Sequence, residues 1–153
     1  MPGRPRARKR FGQHFLERAW IDKVVRAIAP HPLDTFLEIG PGPGGLTRPL
    51  AAASTRVVGV EIDRDLAADL EASAPPNLVV VEGDFLEMAP DALVRHLLPD
   101  ASARGAVRIA GNLPYNAASP ILFRLLELHE ASLALRFVDA TVMLQREVAD
   151  RLL

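Results

Sequence analysis

The feature that most constrains the fold is a repeated alternation of short apolar strands with helical segments. Strands are predicted at residues 35–39, 56–62, 78–81 and 106–110, with a fifth inside residues 135–144. Helices are expected between them because apolar residues recur there at helical spacing and proline residues mark helix ends. This alternation favours an α/β fold with a parallel sheet, in which ligands bind beyond the carboxyl ends of the strands.

Six helices are expected around these strands, over residues 17–29, 46–53, 63–70 and 90–98 and from residues 119 and 145 onward. The first helix is expected to carry Trp20, Val24, Val25 and Ile28 on one face. Asp63 is expected to cap the third helix. Ser119 is expected to begin the fifth, with Pro120 at its first position.

Composition excludes several classes of protein. The 153 residues suit one domain, and the absence of cysteine excludes a disulfide scaffold, a cysteine-ligated metal site and thiol catalysis. No apolar run approaches the ~18 residues of a membrane span, and the basic start does not lead into an apolar signal sequence. We therefore expect a cytoplasmic protein that uses no metal and does not associate with a membrane.

The net charge of −1 conceals a basic arm. Residues 1–10 contain no acid and five cations, namely Arg4, Arg6, Arg8, Lys9 and Arg10, so the remaining residues sum to −1 − 5 = −6. A cationic arm on an acidic body suits the binding of phosphates, as in a nucleic acid. A solvated, mobile terminus is the alternative interpretation of the same residues.

A glycine-rich loop follows the first predicted strand. Gly40, Gly42 and Gly45 match the spacing G-x-G-x-x-G, and Glu61 lies 61 − 40 = 21 positions further on, at the end of the next strand. Glycines let the backbone approach a ligand closely, and a carboxylate at this distance accepts hydrogen bonds from ribose hydroxyls. The pattern predicts an adenosine-containing ligand, either a nicotinamide dinucleotide or S-adenosylmethionine.

Three features of this region favour S-adenosylmethionine. Pro41 and Pro43 remove two backbone N–H groups from the loop that would have to bind a pyrophosphate. The Glu38 carboxylate would repel phosphate but suits a cationic sulfonium. Asp84, which follows the third strand, is placed to accept a hydrogen bond from an adenine amino group. The alternative is a tight turn beside ordinary polar residues at strand ends.

A second candidate loop, Asn112-Leu113-Pro114-Tyr115, follows the fourth strand. The exocyclic amine of adenine is a poor nucleophile because its lone pair is delocalised into the ring. An asparagine carbonyl and a backbone carbonyl that accept its N–H bonds would help to localise that lone pair. Proline fixes the turn, and the tyrosine ring offers a face on which an extruded base can stack. A plain turn is the alternative interpretation.

Together these motifs closely resemble those of the small-subunit ribosomal RNA adenine N6,N6-dimethyltransferases. The matching segments are RKRFGQHFL (8–16), LEIGPG (37–42), VEID (60–63), GD (83–84), GNLPYN (111–116) and MLQREV (143–148). The resemblance implies the Rossmann-like sheet of a class I S-adenosylmethionine-dependent methyltransferase, truncated after the fifth strand. It also implies that the substrate is small-subunit ribosomal RNA or the pre-ribosomal small subunit, dimethylated on two adjacent adenines near the 3′ end of the RNA.

The resemblance also implies roles for individual residues. The implied cofactor-binding residues are Gln13, His14, Leu16, Gly40, Gly42, Glu61, Asp84 and Asn112. Gln13, His14 and Leu16 would lie near the methionine end of the cofactor, although many relatives have asparagine where this chain has His14. Asn112, Leu113, Pro114 and Tyr115 would form the catalytic loop, and Arg6, Arg8, Lys9 and Arg10 would bind RNA.

Two segments are expected on this basis. Residues 1–16 would form the basic arm and cofactor-covering segment, and residues 17–153 an incomplete Rossmann-like methyltransferase domain. Family members continue through further strands, an aromatic residue that closes the target pocket and a small helical RNA-binding domain. Because the 153 residues include none of these, we expect this chain by itself to be inactive as a methyltransferase.

Three other functions compete with this interpretation. One is the related large-subunit ribosomal RNA adenine methyltransferase of the macrolide-resistance type. Another is a non-catalytic ribosome-assembly factor that binds RNA through the same fold. A nicotinamide dehydrogenase is the third, and it is disfavoured by Pro41, Pro43 and the loop at residues 112–115.

Overall fold

The computed structural model of the chain describes residues 17–100 and 105–153, which contain a five-stranded parallel sheet. The strands are β1 (Thr35–Ile39), β2 (Arg56–Glu61), β3 (Leu78–Glu82), β4 (Gly105–Asn112) and β5 (Leu135–Met143). The helices are α1 (Arg18–Ile28), α2 (Thr47–Ala53), α3 (Arg64–Ala72), α4 (Pro90–Leu97), α5 (Ala118–Ala131) and α6 (Arg146–Ala149). The predicted order of strands and helices is therefore confirmed.

The strand order is β3-β2-β1-β4-β5, so the chain crosses from one side of β1 to the other between β3 and β4. Glu38 on β1 lies opposite Gly59 on β2 and Ala110 on β4. At such a reversal, the loops that follow the two central strands leave in opposite directions and open a crevice between them. The crevice here lies between the loops that follow β1 and β4.

Helices cover both faces of the sheet, and each face has its own apolar core. The core beneath α4 and α5 includes Leu37, Val58, Leu93, Ile109, Ile121 and Leu125. The core beneath α1, α2 and α3 includes Ile28, Phe36, Leu50, Val57 and Leu70. Burial of one such side chain contributes about 1.5–3 kcal/mol to the free energy of folding. The two cores together therefore hold the strand ends in fixed positions.

A partly exposed ionic cluster joins several elements at the opposite end of the strands. The Arg108 guanidinium on β4 contacts Asp34 at 2.8 Å and Asp139 on β5 at 2.9 Å. It also donates to the carbonyl oxygens of Ile28 (2.6 Å) and Ala29 (3.4 Å) at the end of α1. Hydrogen bonds to charged groups contribute roughly 1.5–3 kcal/mol, so Arg108 fixes α1 against β4 and β5.

On the apolar face of α1, Ile28 is 2% exposed whereas Trp20 is 56% exposed, and Lys23 Nζ lies 4.5 Å from the Trp20 ring centroid. One local prediction needs correction. The fifth helix begins at Ala118, one residue before the predicted start. The cause is a turn in which the Ala117 N–H donates to the Pro114 carbonyl at 3.1 Å, which begins the helix early and moves Pro120 to its third position.

The predicted cap of α3 is confirmed. One carboxylate oxygen of Asp63 accepts hydrogen bonds from the N–H groups of Asp65 (3.0 Å) and Leu66 (3.3 Å). This bonding fixes the turn between β2 and α3, where the chain passes the glycine loop. None of the helices in the described part of the chain has both the length and the apolar character that crossing a bilayer requires.

Candidate functional site

The glycine-rich loop follows β1 directly and has a backbone that requires glycine. Gly40 has a φ of +71° and Gly42 a φ of +57°, both in the left-handed region that other residues rarely adopt. These conformations turn the chain sharply at the carboxyl end of β1 and direct it into α2. The predicted glycine motif is therefore a tight loop at the crevice.

Glu61, at the end of β2, is hydrogen-bonded to this loop through its carboxylate. Its Oε2 accepts a hydrogen bond from the Gly42 N–H at 2.8 Å, and its Oε1 accepts one from the Asp63 N–H at 2.9 Å. The residue is only 2% exposed. Burial raises the pKa of Glu61 above its ordinary value, and the two N–H donors oppose that shift. The carboxylate thus joins the glycine loop to the turn that follows β2.

Two further N–H groups of the loop, those of Gly40 and Gly44, also have partners within the chain. The Gly40 N–H donates to the Val60 carbonyl of β2 at 2.9 Å, and the Gly44 N–H donates to the Pro41 carbonyl at 3.0 Å. Pro41 and Pro43 carry no N–H group. Every backbone N–H of residues 40–44 is therefore absent or already donating, so none of these five residues has an N–H left for a pyrophosphate.

Glu38 is a second buried carboxylate beneath the loop. It is 2% exposed on the central strand, and within the described residues its Oε2 has no hydrogen-bond partner. Burial, and to a smaller extent the charge of Glu61, raises the pKa of Glu38 to about 7. A carboxyl group in this state gains from a nearby cation, because a positive charge favours its ionised form.

A cavity of about 350 Å³ opens at the carboxyl ends of β1, β2 and β3 and reaches the start of α5. Its walls are formed by Ile39, Gly40, Val60, Ile62, Gly83, Asp84, Phe85, Leu86, Pro114, Asn116, Ala117 and Ile121. Among the described residues of this lining, Asp84 and Asn116 supply the only polar side chains, and none of these residues is basic. An apolar slot with two polar groups is typical of a site for a flat, neutral ring.

Asp84 is fixed at the wall of this cavity. Its Oδ1 accepts a hydrogen bond from the Leu86 N–H at 2.9 Å, and its backbone carbonyl accepts one from the Glu87 N–H at 3.0 Å. A carboxylate held through one oxygen can still accept hydrogen bonds through the other. Asp84 is therefore oriented to accept a donor from a ligand in the cavity, as an adenine amino group would require.

The loop that follows β4 forms the opposite wall of the crevice. Asn112 ends β4, and the Leu113 side chain is 4% exposed while its N–H donates to the Met143 carbonyl at 3.1 Å. Pro114 lines the cavity. The Tyr115 side chain is 49% exposed beside it. The loop is thus anchored by a buried leucine and presents an aromatic ring to solvent at the mouth of the crevice.

The structure brings several of the predicted residues together at one edge of the sheet. Gly40, Asp84 and Pro114 line the same cavity, whereas Gly42 and Glu61 bond to each other beside it. Predictions for the arm concern Arg6, Arg8, Lys9, Arg10, Gln13, His14 and Leu16, which lie outside the described residues. Among the residues that are described, no group of three or more His, Asp or Glu side chains is arranged to hold a metal ion.

Sequence reasoning missed the other cavity walls. Asn116 was part of a matched segment, but no role was predicted for it. Ile62, Phe85 and Leu86 directly follow Glu61 and Asp84 in the sequence, so their position at strand ends was the available signal. Their apolar character alone did not distinguish them from core residues.

Comparisons of sequence identify relatives over almost the whole chain. The family model for "Ribosomal RNA adenine dimethylase" matches residues 4–153. A "Ribosomal RNA small subunit methyltransferase A" of Acidithiobacillus ferrooxidans is 46% identical over 151 residues, covering 97% of this chain and 52% of the relative. The protein of the same name from Bordetella avium is 50% identical over 149 residues, covering 95% of this chain and 51% of the relative. The chain therefore spans about half the length of these curated relatives.

Comparisons of structure agree on the fold. A dimethyladenosine transferase from Plasmodium falciparum superposes with a TM-score of 0.65 at 28% identity, covering 87% of this chain and 43% of that one. The 23S rRNA methyltransferase ErmE also gives a TM-score of 0.65 at 28% identity, covering 90% of this chain and 50% of that one. The described sheet is thus that of a Rossmann-like class I methyltransferase, as predicted.

Proposed function

The chain belongs to the ribosomal RNA adenine dimethylase family, and on that premise we propose that it binds S-adenosylmethionine and carries the catalytic domain of a small-subunit ribosomal RNA dimethyltransferase. The reaction would place two methyl groups on each N6 atom of two adjacent adenines near the 3′ end of the RNA. The partner is then small-subunit RNA or the pre-ribosomal small subunit, and the reaction takes place in the cytoplasm.

The observation that carries the choice of cofactor is the state of the glycine loop. A dinucleotide needs free N–H groups to bind its pyrophosphate, but those of residues 40–44 already donate within the chain or are replaced by proline. The carboxylates of Glu38 and Glu61 lie beneath the loop and would repel phosphate. The same acids suit the cationic sulfonium and ammonium groups of S-adenosylmethionine.

The proposed cofactor pose follows from the chemistry of each group. The adenine ring occupies the apolar cavity, with its amino group donating to Asp84. The ribose lies over Glu61, whose oxygens each accept one bond already and retain a second lone pair. Gly40 and Gly42 allow the backbone to approach the ligand. The resemblance places Gln13, His14 and Leu16 over the methionine end.

The loop at residues 112–115 is the proposed catalytic element, and the cofactor supplies the methyl group. The Asn112 side-chain carbonyl accepts one N–H bond of the target amine. We assign the second acceptor to the Leu113 carbonyl, which directly follows Asn112, since the Pro114 carbonyl already accepts the Ala117 N–H that begins α5 and has one lone pair left. Tyr115 stacks on the extruded base, a contact worth ~1–3 kcal/mol. Attack on the methyl carbon then depends on positioning more than on acid–base catalysis.

The basic arm is proposed to hold RNA. Arg6, Arg8, Lys9 and Arg10 precede the cofactor-covering segment in the sequence and would contact phosphates close to the site. Such contacts weaken as the salt concentration rises. Each phosphate that the protein neutralises makes the slope of log affinity against log salt concentration steeper by ~0.7–0.9 units. The arm would therefore raise RNA affinity without selecting the target base.

Large-subunit RNA remains the competing substrate on structural grounds, because ErmE and the Plasmodium protein superpose equally well. The relatives at 46% and 50% identity favour the small subunit. Primer extension across both RNAs after reaction would show which one is modified. A large-subunit product would overturn the choice of RNA while leaving the proposed chemistry intact.

Asp84→Asn tests the cofactor site in this chain. The variant keeps an oxygen for the Leu86 N–H but replaces the acceptor facing the adenine amino group with a donor. Hydrogen bonds to charged groups contribute ~1.5–3 kcal/mol, so we expect at least tenfold weaker binding of S-adenosylhomocysteine by calorimetry. The exposed Asp69→Asn on α3 is the control and should bind as the original does. Equal affinity in a folded Asp84→Asn protein would refute the assignment.

Tyr115 variants test the catalytic loop in a chimera that joins residues 1–153 to the remaining part of the Acidithiobacillus relative. Tyr115→Ala removes the stacking face, so methyl transfer to small-subunit particles should fall about tenfold or more. Tyr115→Phe keeps the ring and should retain most of the activity. If alanine and phenylalanine have equal rates, Tyr115 does not stack on the target. A chimera that binds RNA but transfers no methyl group would favour an assembly factor.

A further inference from the structure

Asn116 and Asp84 are the two polar side chains that the described part of the chain contributes to the cavity lining, and Asn116 has no role in the proposal so far. It follows Tyr115 and lies just before α5, whose first residue is Ala118. The side chain is exposed at the cavity mouth, while the neighbouring Ala117 and the deeper Ile121 continue the wall. Its place on the lining suits contact with a ligand rather than packing in the core.

The two polar side chains of the lining differ in what they can bond. An ionised Asp84 only accepts hydrogen bonds, so it can recognise the amino group of adenine but none of the ring nitrogens. An asparagine amide both donates and accepts. Adenine presents one amino donor and, beside it, the acceptor nitrogens N1 and N7. Recognition of the whole hydrogen-bonding edge needs an acceptor together with a donor.

We infer that Asn116 donates a hydrogen bond to a ring nitrogen of the cofactor's adenine and, with Asp84, makes the cavity selective for adenine. This inference rests on the proposed function, because it assumes that the cavity binds the adenosine half of S-adenosylmethionine. The start of α5 positions the residue: the Ala117 N–H bonds to Pro114 and the Ile121 N–H bonds to the Ala117 carbonyl at 3.0 Å. The loop that is proposed to contact the target base would thereby also bind the adenine of the cofactor.

The experiment compares this chain with its Asn116→Ala variant in calorimetric binding of S-adenosylhomocysteine and of its 1-deaza and 7-deaza analogues. Each analogue replaces one acceptor nitrogen of the ring by a carbon. Loss of one hydrogen bond should weaken binding of S-adenosylhomocysteine by about fivefold in the variant. For the analogue that lacks the contacted nitrogen, the original chain and the variant should bind equally.

Two further variants serve as controls for this test. Asn116→Asp keeps the shape but removes the donor and adds a charge beside Asp84, so it should bind more weakly than Asn116→Ala. Ser119→Ala, in the first turn of α5 and outside the cavity lining, should leave the affinity unchanged. Thermal unfolding without ligand confirms that each variant is folded.

The outcomes separate this inference from the proposed function. If the original chain binds S-adenosylhomocysteine and the alanine and aspartate variants match it, Asn116 has no role in recognition and only this inference fails. If Asn116→Ala weakens the binding of both analogues as much as it weakens the binding of S-adenosylhomocysteine, Asn116 contacts neither replaced nitrogen, and the inference is also overturned. If the original chain binds no adenosine ligand, the proposed cofactor site fails as well.

Discussion

Replacing Glu61 with alanine should destabilise the chain by about 3 kcal/mol and abolish measurable binding of S-adenosylhomocysteine. The carboxylate is 2% exposed and accepts the N–H groups of Gly42 and Asp63. Its removal leaves two buried donors without partners, and each such donor costs roughly 1–3 kcal/mol. The glycine loop also loses one of its two hydrogen bonds to β2 and keeps only the one from the Gly40 N–H to the Val60 carbonyl, so a ribose would meet no carboxylate acceptor and a less constrained backbone.

Urea unfolding and calorimetry measure these two effects separately. Glu61→Gln retains one acceptor oxygen and should fall between the original and the alanine variant in both. Glu82→Ala is the matched control, because Glu82 is paired with Glu61 in register on β3 but is exposed. That control should change stability by less than about 0.5 kcal/mol. An alanine variant at position 61 with unchanged urea midpoint and affinity would contradict both roles of this residue.

Much of this site could be predicted because it depends on local sequence. The strands contain short apolar runs bounded by glycine, proline and acids, and the ends of parallel strands meet at one edge. The positions of Gly40, Asp84 and Asn112 follow from that rule alone. The Asp63 cap was predictable for the same reason, since a cap involves only the residues that follow it.

The features that were missed depend on contacts between distant residues. Nothing local in the sequence indicates that the Glu61 carboxylate binds the Gly42 N–H, 19 positions away. Helical spacing places Trp20 and Ile28 on one face of α1, but it does not show how far the sheet extends beneath that face, where Ile28 is buried and Trp20 is exposed. Asn116 was missed because its position on the cavity depends on how α5 begins.

Glu38→Gln should make the chain more stable at pH 8 by up to about 3 kcal/mol and change little at pH 5. Burial raises the pKa of Glu38 from an ordinary value of 4.5 to about 7 in the folded state. Between these values the folded chain holds a proton that the unfolded chain has lost, so the free energy of unfolding falls as the pH rises. The full loss is reached above about pH 7, at roughly 1.4 kcal/mol for each pKa unit.

Urea unfolding of both proteins from pH 5 to pH 8 tests this prediction. Other titrating groups are common to the two proteins and cancel in the difference between their stabilities, except that Glu61 interacts with Glu38, so the difference measures Glu38 together with its interaction with Glu61. The exposed Glu130→Gln on α5 is the control and should show no such pH-dependent difference. A constant difference across this range would show that Glu38 is ionised at every pH. A buried acid that reduces stability at pH 8 is typical of a binding site, and here a cationic cofactor would offset the cost by favouring the ionised form.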